Sequence, residues 1–217
     1  MKALAINGSP RKKWNTATLL EHALAGAKSQ GAQTELVHLY DLAFTGCISC
    51  FECKKIGGKS YGRCAVKDGL TEVLNQAFEA DLLILGSPFY FGTETGEMRS
   101  CMERLLFPFF PYTPDYASLF PRRIQTAFVY TMNVNENEMA QYSQDKAAAH
   151  SQWLLNHVYG HCELLLVTDT YQFDDYAKYL STRWDPAHKA ERRREVFPQD
   201  CAKAFAMGAE LARTAKA

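Results

Sequence analysis

The chain has 217 residues, of which 47% are hydrophobic and 22% are charged, as in an ordinary globular protein. This composition excludes a disordered chain, a coiled coil and a collagen-like repeat. Its 24 basic and 24 acidic residues leave no net charge, so it lacks the basic excess of a typical nucleic-acid-binding protein. No apolar run approaches the ~18 residues of a membrane span, and residues 1–10 lack a secretory signal pattern. We therefore expect a cytoplasmic protein with one domain, residues 1–217, that binds neither nucleic acid nor a membrane.

Short apolar segments alternate with amphipathic segments along the chain. The apolar segments predict five strands, at residues 2–7, 34–39, 81–87, 124–131 and 162–168. The amphipathic segments predict helices at residues 16–28, 68–78 (with Asp68 as N-cap), 95–106, 143–159 and 199–213. This alternation is typical of βαβ units, which build a parallel sheet with helices on both faces.

The polarity of the strands predicts their order in the sheet. The second strand alternates polar and apolar residues, which suits a sheet edge, whereas residues 2–7 and 81–87 are nearly all apolar, which suits the centre. These preferences favour a three-layer α/β fold of the flavodoxin type, with strand order 2-1-3-4-5. A ligand of such a sheet binds beyond the carboxyl ends of the strands, so the loops after Ile6, Leu85 and Tyr130 form the candidate site.

The loop after the first strand reads NGSPRKKWNTAT and leads into a helix N-terminus. Free backbone N–H groups at such a terminus attract an anion, and the loop adds amide side chains, the hydroxyls of Ser9, Thr16 and Thr18, and the charge of Arg11. The sequence contains neither GxxxxGK[ST] nor GxGxxG, which argues against a P-loop NTPase and a dinucleotide fold. The loop therefore predicts a site for a terminal phosphate; a plain turn with a hydroxyl cap is the alternative for any single residue.

The loop after the third strand reads GSPFYFGT, with three aromatic residues together between glycines. Aromatic side chains stack on flat ring systems, and glycines let backbone N–H groups approach ring heteroatoms. The alternative is that Phe89 and Phe91 belong to the core and that Tyr90 alone is exposed.

Taken together, GSPRxxxNTxxL after the first strand and GSPxYFGxxTGxM after the third resemble the NADPH-dependent FMN reductase family of flavodoxin-like proteins. The resemblance covers residues 1 to about 131. It implies that the FMN phosphate is held by Ser9, Arg11, Asn15, Thr16 and Thr18. It implies that the isoalloxazine ring lies along Pro88, Phe89, Tyr90, Phe91 and Gly92. The pyrimidine end of the ring would lie near Thr131 and Asn133.

Four of the seven cysteines, Cys47, Cys50, Cys53 and Cys64, lie in a loop at residues 46–67. The CxxCxxC spacing resembles iron–sulfur ligation, and an iron–sulfur flavoprotein branch of the family carries a cluster after the second strand. The fourth cysteine of that branch lies nearer, so the insertion at residues 54–63 is a departure. Three alternatives stay open: metal-free thiols, which we favour, then a [4Fe–4S] cluster that exchanges electrons with the flavin, then a zinc site.

The same loop is basic, with Lys54, Lys55, Lys59, Arg63 and Lys67 against one glutamate. Such a patch attracts the phosphates of NADPH or an acidic redox protein, and a solvated loop is the alternative.

Two long segments, residues 107–121 and a polar aromatic tail at 171–198, are predicted to be irregular. Exposed aromatic patches are unfavourable in water. We expect these segments to form the contact of a homodimer, or of a dimer of dimers, in which the neighbour roofs the flavin. The aromatic residues concerned are Tyr112, Tyr116, Tyr171, Tyr176, Tyr179 and Trp184.

The sequence shows no nucleophile–histidine–acid set, as expected when a cofactor supplies the chemistry, so we name no catalytic side chain. The expected function is an FMN-dependent oxidoreductase that takes a hydride from NAD(P)H and passes electrons to a small acceptor, such as a flavin or quinone, or to a redox protein. The alternative is an iron–sulfur flavoprotein that serves as an electron carrier. A third reading is a binding or regulatory module without turnover.

Overall fold

The computed structural model describes residues 1–216 and contains one parallel sheet. Its strands are β1 (Lys2–Asn7), β2 (Gln33–His38), β3 (Leu82–Pro88), β4 (Gln125–Thr131) and β5 (Glu163–Val167). Neighbouring strands pair in parallel in the order β2-β1-β3-β4-β5. The predicted fold and strand order are confirmed, and every predicted strand overlaps an observed one.

Seven α-helices lie within residues 1–216. They are α1 (Asn15–Ser29), α2 (Thr71–Glu79), α3 (Gly96–Leu106), α4 (Glu136–Gln141), α5 (Gln144–Tyr159), α6 (Pro186–Glu195) and α7 (Phe197–Thr214). The five predicted helices correspond to α1, α2, α3, α5 and α7. The prediction of Asp68 as N-cap of α2 is wrong, because Leu70 occupies that position and Asp68 closes the turn before it.

Helices α4 and α6 lie where no helix was predicted, although each has a recognisable start. The side chains of Asn135 and Glu138 cap each other's backbone at the start of α4, which is the capping-box pattern. Asp185 caps α6, and Pro186 occupies its first position, where a missing N–H does no harm.

Alternate side chains of the central strands feed two separate apolar layers. Ala3, Ala5 and Ile84 pack against α1 and α7 on one face. Leu4 and Leu85, with their neighbours, pack against α2, α3 and α5 on the other face. This two-sided burial explains why β1 and β3 read as nearly continuous apolar runs.

Helices α1 and α7 approach each other closely because glycine lies on both sides of the contact. A Cβ added at Gly26 would lie 2.0 Å from the carbonyl oxygen of Phe205, and one at Gly208 would lie 1.9 Å from that of Ala23. The contact fixes the last helix against the helix that begins at the candidate phosphate loop. Within residues 1–216, none of the helices has both the length and the apolar character that a membrane span requires.

Candidate functional site

The phosphate loop, residues 7–18, is held in place by hydrogen bonds from its own first residues. Asn7 is fully buried at the end of β1, and its Oδ1 accepts a hydrogen bond from the Ser9 N–H at 3.0 Å. The Oγ of Ser9 in turn accepts from the Arg11 N–H at 3.2 Å. The Asn7 Nδ2 lies 2.9 Å from the Nδ1 of His38 on β2. These short-range bonds set the loop conformation without any ligand.

The N-terminus of α1 offers hydrogen-bond donors to the space beyond the sheet. Trp14 occupies the N-cap position and makes no side-chain cap bond. Within residues 1–216 the N–H groups of Asn15, Thr16 and Ala17 have no acceptor, whereas that of Thr18 bonds to the Trp14 carbonyl. A helix start with free N–H groups is a ready anion site.

A cavity of about 250 Å³ lies at the carboxyl ends of β1, β3 and β4. Nine of the twelve residues predicted from the family resemblance line it, namely Ser9, Arg11, Asn15, Thr16, Pro88, Phe89, Tyr90, Thr131 and Asn133. Its other lining residues are not among those twelve: Trp14, Met132, Thr170, Gln172, Phe173 and Trp184. Two loops that are far apart in sequence therefore meet at one site, as the strand order requires.

The remaining three predicted residues, Thr18, Phe91 and Gly92, do not line the cavity. Thr18 lies one turn into α1. Phe91 and Gly92 form a two-residue turn with φ values of 51° and 85°, closed by hydrogen bonds between Tyr90 and Thr93. The Phe91 ring is fully exposed, so the alternative of a core position is wrong for this residue.

The roof of the cavity comes from the tail of the same chain, whereas the sequence led us to expect a roof from a neighbouring subunit. The carbonyl of Tyr171 accepts hydrogen bonds from the Trp14 Nε1 at 3.2 Å and the Asn15 Nδ2 at 2.9 Å. The carbonyl of Gln172 accepts from the Arg11 guanidinium at 2.6 Å. Arg11 and Asn15 therefore hold the tail as well as facing the cavity.

Helix α6 anchors this roof through a buried ion pair. Lys189 is 1% exposed, forms an ion pair with Asp169, and donates a hydrogen bond to the Asn133 carbonyl at 2.6 Å. The Nε2 of His188 lies 2.6 Å from the other Asp169 oxygen. Burial raises the pKa of Asp169, but the lysine and histidine outweigh it and hold that pKa below its ordinary value. In the sequence, the pair Asp185–Pro186 is the signal that could have identified the start of α6.

A buried carboxylate supports the aromatic wall from behind. Glu94 is 4% exposed and accepts hydrogen bonds from the hydroxyls of Thr93, Tyr130 and Ser151. Burial raises its pKa, but these three donors outweigh burial and leave the pKa below its ordinary value. The Tyr130 ring also contacts Phe89, with centroids 4.6 Å apart. Glu94 thus ties the 88–95 loop to β4 and α5.

The residues present fit FMN. The free N–H groups of α1, the Ser9 and Thr16 hydroxyls and the Arg11 cation suit a phosphate. Phe89 and Tyr90 offer an aromatic wall. Two lining residues each carry a buried polar atom without a partner in residues 1–216: the donor Nε1 of Trp184 and the acceptor Oδ1 of Asn133. Buried polar atoms normally have partners, so one free donor and one free acceptor match a heteroaromatic ring.

The cysteine loop, residues 46–67, brings its four thiols to one small cavity of about 20 Å³. Cys47 and Cys50 are exposed, Cys64 is partly buried, and Cys53 is buried, which raises the pKa of its thiol. The part of the chain described holds no group of three His, Cys, Asp or Glu side chains that could bind a metal ion. Four cysteines around one cavity are nevertheless the donor type that iron–sulfur and zinc centres use.

A buried guanidinium of α3 holds both ends of the cysteine loop, and Glu103 of the same helix accepts from the Cys47 N–H at 3.1 Å. Arg104 is 1% exposed and donates to the Asp68 carboxylate at 2.5 Å, to the carbonyls of Thr45 and Val66, and to the Cys64 Sγ at 3.3 Å. It therefore ties both ends of the loop to one side chain. Burial raises the pKa of Asp68, but Arg104 and two backbone N–H groups hold it below its ordinary value.

The sequence of this site matches a known family. Residues 1–159 match the family model described as NADPH-dependent FMN reductase. The chain belongs to this family. The family match covers the phosphate loop, the aromatic loop and the cysteine loop, but stops before the roof.

Curated relatives match part of the chain. An iron–sulfur flavoprotein of Methanocaldococcus jannaschii is 38% identical over 104 residues, which are 48% of this chain and 51% of that protein. One from Archaeoglobus fulgidus is 40% identical over 104 residues, 48% of each chain. The match thus spans about half the length of these relatives.

Solved structures share the fold over nearly the whole chain. An NAD(P)H:quinone oxidoreductase from Methanothermobacter marburgensis has a TM-score of 0.68 at 13% identity, covering 97% of this chain and 98% of that one. An FMN-dependent NADH-azoreductase from Bacillus anthracis, in complex with FMN, has a TM-score of 0.67 at 15% identity, covering 97% and 99%. At these identities the likeness shows the flavodoxin-like fold alone.

Proposed function

We propose that this protein is an FMN-dependent oxidoreductase that takes a hydride from NAD(P)H and passes electrons to a small acceptor, such as a flavin or quinone, or to a redox protein. The observation that supports it is one cavity that joins an uncapped helix N-terminus to an aromatic wall at the switch point of the sheet. Bound FMN would supply the hydride-accepting ring.

The side chains bind and orient. Ser9, Thr16, Arg11 and the α1 N–H groups hold the phosphate, while Pro88, Phe89 and Tyr90 form the wall along the ring. Asn133 and Trp184 present one acceptor and one donor to ring heteroatoms, with Thr131 beside them. The roof at residues 171–173 excludes water from one side. We leave Thr18, Phe91 and Gly92 out of the site because they lie outside the cavity.

The phosphate assignment is tested by the Arg11→Ala/Thr16→Ala double variant. We expect FMN affinity, measured by quenching of flavin fluorescence, to fall at least tenfold, because a charged donor and a hydroxyl donor are lost together. Thr18→Ala is the matched control, since Thr18 lies on the same helix outside the cavity. Equal affinity in all three proteins would overturn the assignment, and circular dichroism checks that the double variant folds.

A second candidate is an iron–sulfur flavoprotein electron carrier with a [4Fe–4S] cluster on Cys47, Cys50, Cys53 and Cys64. Two observations favour it: the four thiols line one cavity, and the curated relatives carry that name. Iron and acid-labile sulfide, assayed on protein purified without oxygen, test it. About four iron and four sulfide ions per chain in the wild type, and their loss in Cys50→Ser, would support the electron carrier. Flavin absorption bands without iron would contradict the carrier and support the reductase.

We also propose a homodimer of single-domain subunits. Tyr112, Tyr116 and Tyr179 are exposed, as a contact surface requires, whereas Tyr176 is buried and Trp184 lines the cavity of its own chain. A neighbouring subunit is therefore not needed to roof the flavin. Sedimentation at micromolar protein should show a dimer, and a monomer would contradict this proposal.

A further inference from the structure

A second cavity, of about 360 Å³, lies between the cysteine loop and helices α2 and α3. It shares no lining residue with the FMN cavity. Its rim is polar and its floor is apolar. The rim is formed by Lys59, Ser60, Arg63, Lys67, Thr71 and Asn75, and the floor includes Leu105, Pro108, Phe109 and Tyr159.

The charge lining this cavity is of one sign. Four of its residues are cations, Arg104 among them, and no lining residue carries a carboxylate. Arg104 is already paired with Asp68. The other three, Lys59, Arg63 and Lys67, have no carboxylate oxygen within 4.0 Å in residues 1–216 and donate no side-chain hydrogen bond there. The chain as a whole has no net charge, so this concentration of positive charge is local.

The basic insertion at residues 54–63 has a defined shape that places two of these cations, Lys59 and Arg63. The Gly62 N–H donates to the Cys53 carbonyl at 2.9 Å, and the Arg63 N–H donates to the Ser60 carbonyl at 2.9 Å. Gly62 has a φ of 72°, which other residues rarely adopt. The Arg63 guanidinium carbon lies 3.2 Å from the centre of the Phe78 ring. A cation held on an aromatic face is restricted before any ligand arrives.

We propose that this cavity binds a small organic phosphate. The phosphate would meet Lys59, Arg63 and Lys67 at the rim, with the Ser60 hydroxyl and the Asn75 amide as neutral donors, and the organic part would lie on the apolar floor. The volume falls in the usual range for small-molecule sites, roughly 300–1,000 Å³. A concave site suits a small molecule better than an acidic protein surface, which needs roughly 800 Å² of contact per partner.

Calorimetry on the full chain tests this site. FMN is added to saturation first, because the phosphate loop would otherwise compete for the probes. The probes are AMP, glucose 6-phosphate, inorganic phosphate and adenosine. We expect one of the two organic phosphates to bind more tightly than inorganic phosphate, and adenosine not to bind. If the chain retains no FMN, the same titrations on apoprotein compare the variants below, so the two proposals fail separately.

The Arg63→Gln/Lys67→Gln double variant should bind that phosphate at least tenfold more weakly, because two charge-assisted contacts are lost. Lys55→Gln is the control: it removes a cation of the same insertion that does not line the cavity, and it should bind like the wild type. Unchanged binding in the double variant overturns the site, as does an equal loss in Lys55→Gln. Binding of polyglutamate without binding of any phosphate would also overturn it.

Discussion

The phosphate loop and the cysteine loop follow the carboxyl ends of neighbouring strands, β1 and β2, but different interactions hold the two loops in place. The phosphate loop is fixed by hydrogen bonds between residues close in sequence, through Asn7 and Ser9. The free N–H groups at the start of α1 lie beside the cavity. The cysteine loop is fixed by Arg104, whose donors reach both of its ends. Its four cysteines line one small cavity. The first loop is set by its own hydrogen bonds, whereas the second is held by side chains of α3, through the Arg104–Asp68 ion pair and through Glu103, which accepts from the Cys47 N–H.

The largest effect should come from breaking that ion pair. Asp68→Asn leaves Arg104 buried without its counter-charge, so we expect the free energy of unfolding to fall by about 3–5 kcal/mol. Urea unfolding measures it. Glu79→Gln, which removes an exposed carboxylate paired with Lys2, is the control and should leave stability almost unchanged. A loss as small as that of the control would show that Arg104 is paired well enough by carbonyls.

The same pair predicts a pH dependence. The folded pKa of Asp68 lies below its ordinary value of 3.8. Its carboxylate therefore stabilises the fold fully above that value, and the stabilisation is lost as pH falls through the lower, folded pKa. The wild type should lose stability more steeply than Asp68→Asn below about pH 4. Parallel curves for the two proteins would contradict this reading.

Removing the support behind the aromatic wall should have the next largest effect. Glu94→Ala leaves three hydroxyls without their shared acceptor, so we expect about 1–3 kcal/mol of destabilisation and weaker FMN binding. Glu94→Gln keeps one oxygen and should recover part of both losses. Thermal unfolding and flavin titration measure the two quantities. If Glu94→Gln is as damaging as Glu94→Ala, the charge matters more than the geometry.

Opening the roof should weaken the binding of the cofactor. Lys189→Met removes the link between Asn133 and Asp169, and we expect FMN to bind about tenfold more weakly, which is about 1.4 kcal/mol. Lys178→Met changes an exposed lysine of the same tail and serves as the control. Stopped-flow release of FMN should be faster in Lys189→Met alone. An unchanged release rate would show that the roof does not contribute to FMN binding.

The smallest effect is a gain. Phe91→Asn places Asn-Gly in a two-residue turn whose central residues both have positive φ, the arrangement that this pair favours. We expect up to about 1 kcal/mol of added stability, because Asn adopts left-handed backbone more readily than Phe. FMN affinity should not change, since Phe91 lies outside the cavity. A clear loss of affinity would mean that the Phe91 ring contacts a flavin. Phe91 would then belong to the contact between subunits.

The sequence predicted the sheet and most of the cavity, because both depend on short local patterns. Apolar runs identified β1 and β3, and the strand order then brought the loops after Asn7 and Pro88 together. The roof could not be predicted from local patterns, because its contacts join residues far apart in sequence. Asn15 bonds to Tyr171, 156 positions away, and to Arg193, 178 positions away. The cysteine spacing likewise identified donors but not their arrangement, because geometry is set by Arg104 from another helix.

The wide sequence separation of these contacting residues has a consequence for how the protein is made. A ribosome releases the phosphate loop early, whereas the carbonyls of Tyr171 and Gln172 and the buried Lys189 follow only after all five strands have emerged. Until then α1 begins at an open, hydrated edge. Nascent chains stalled after β5 should therefore hold FMN poorly, and capture of the cofactor should follow the emergence of residues 171–189.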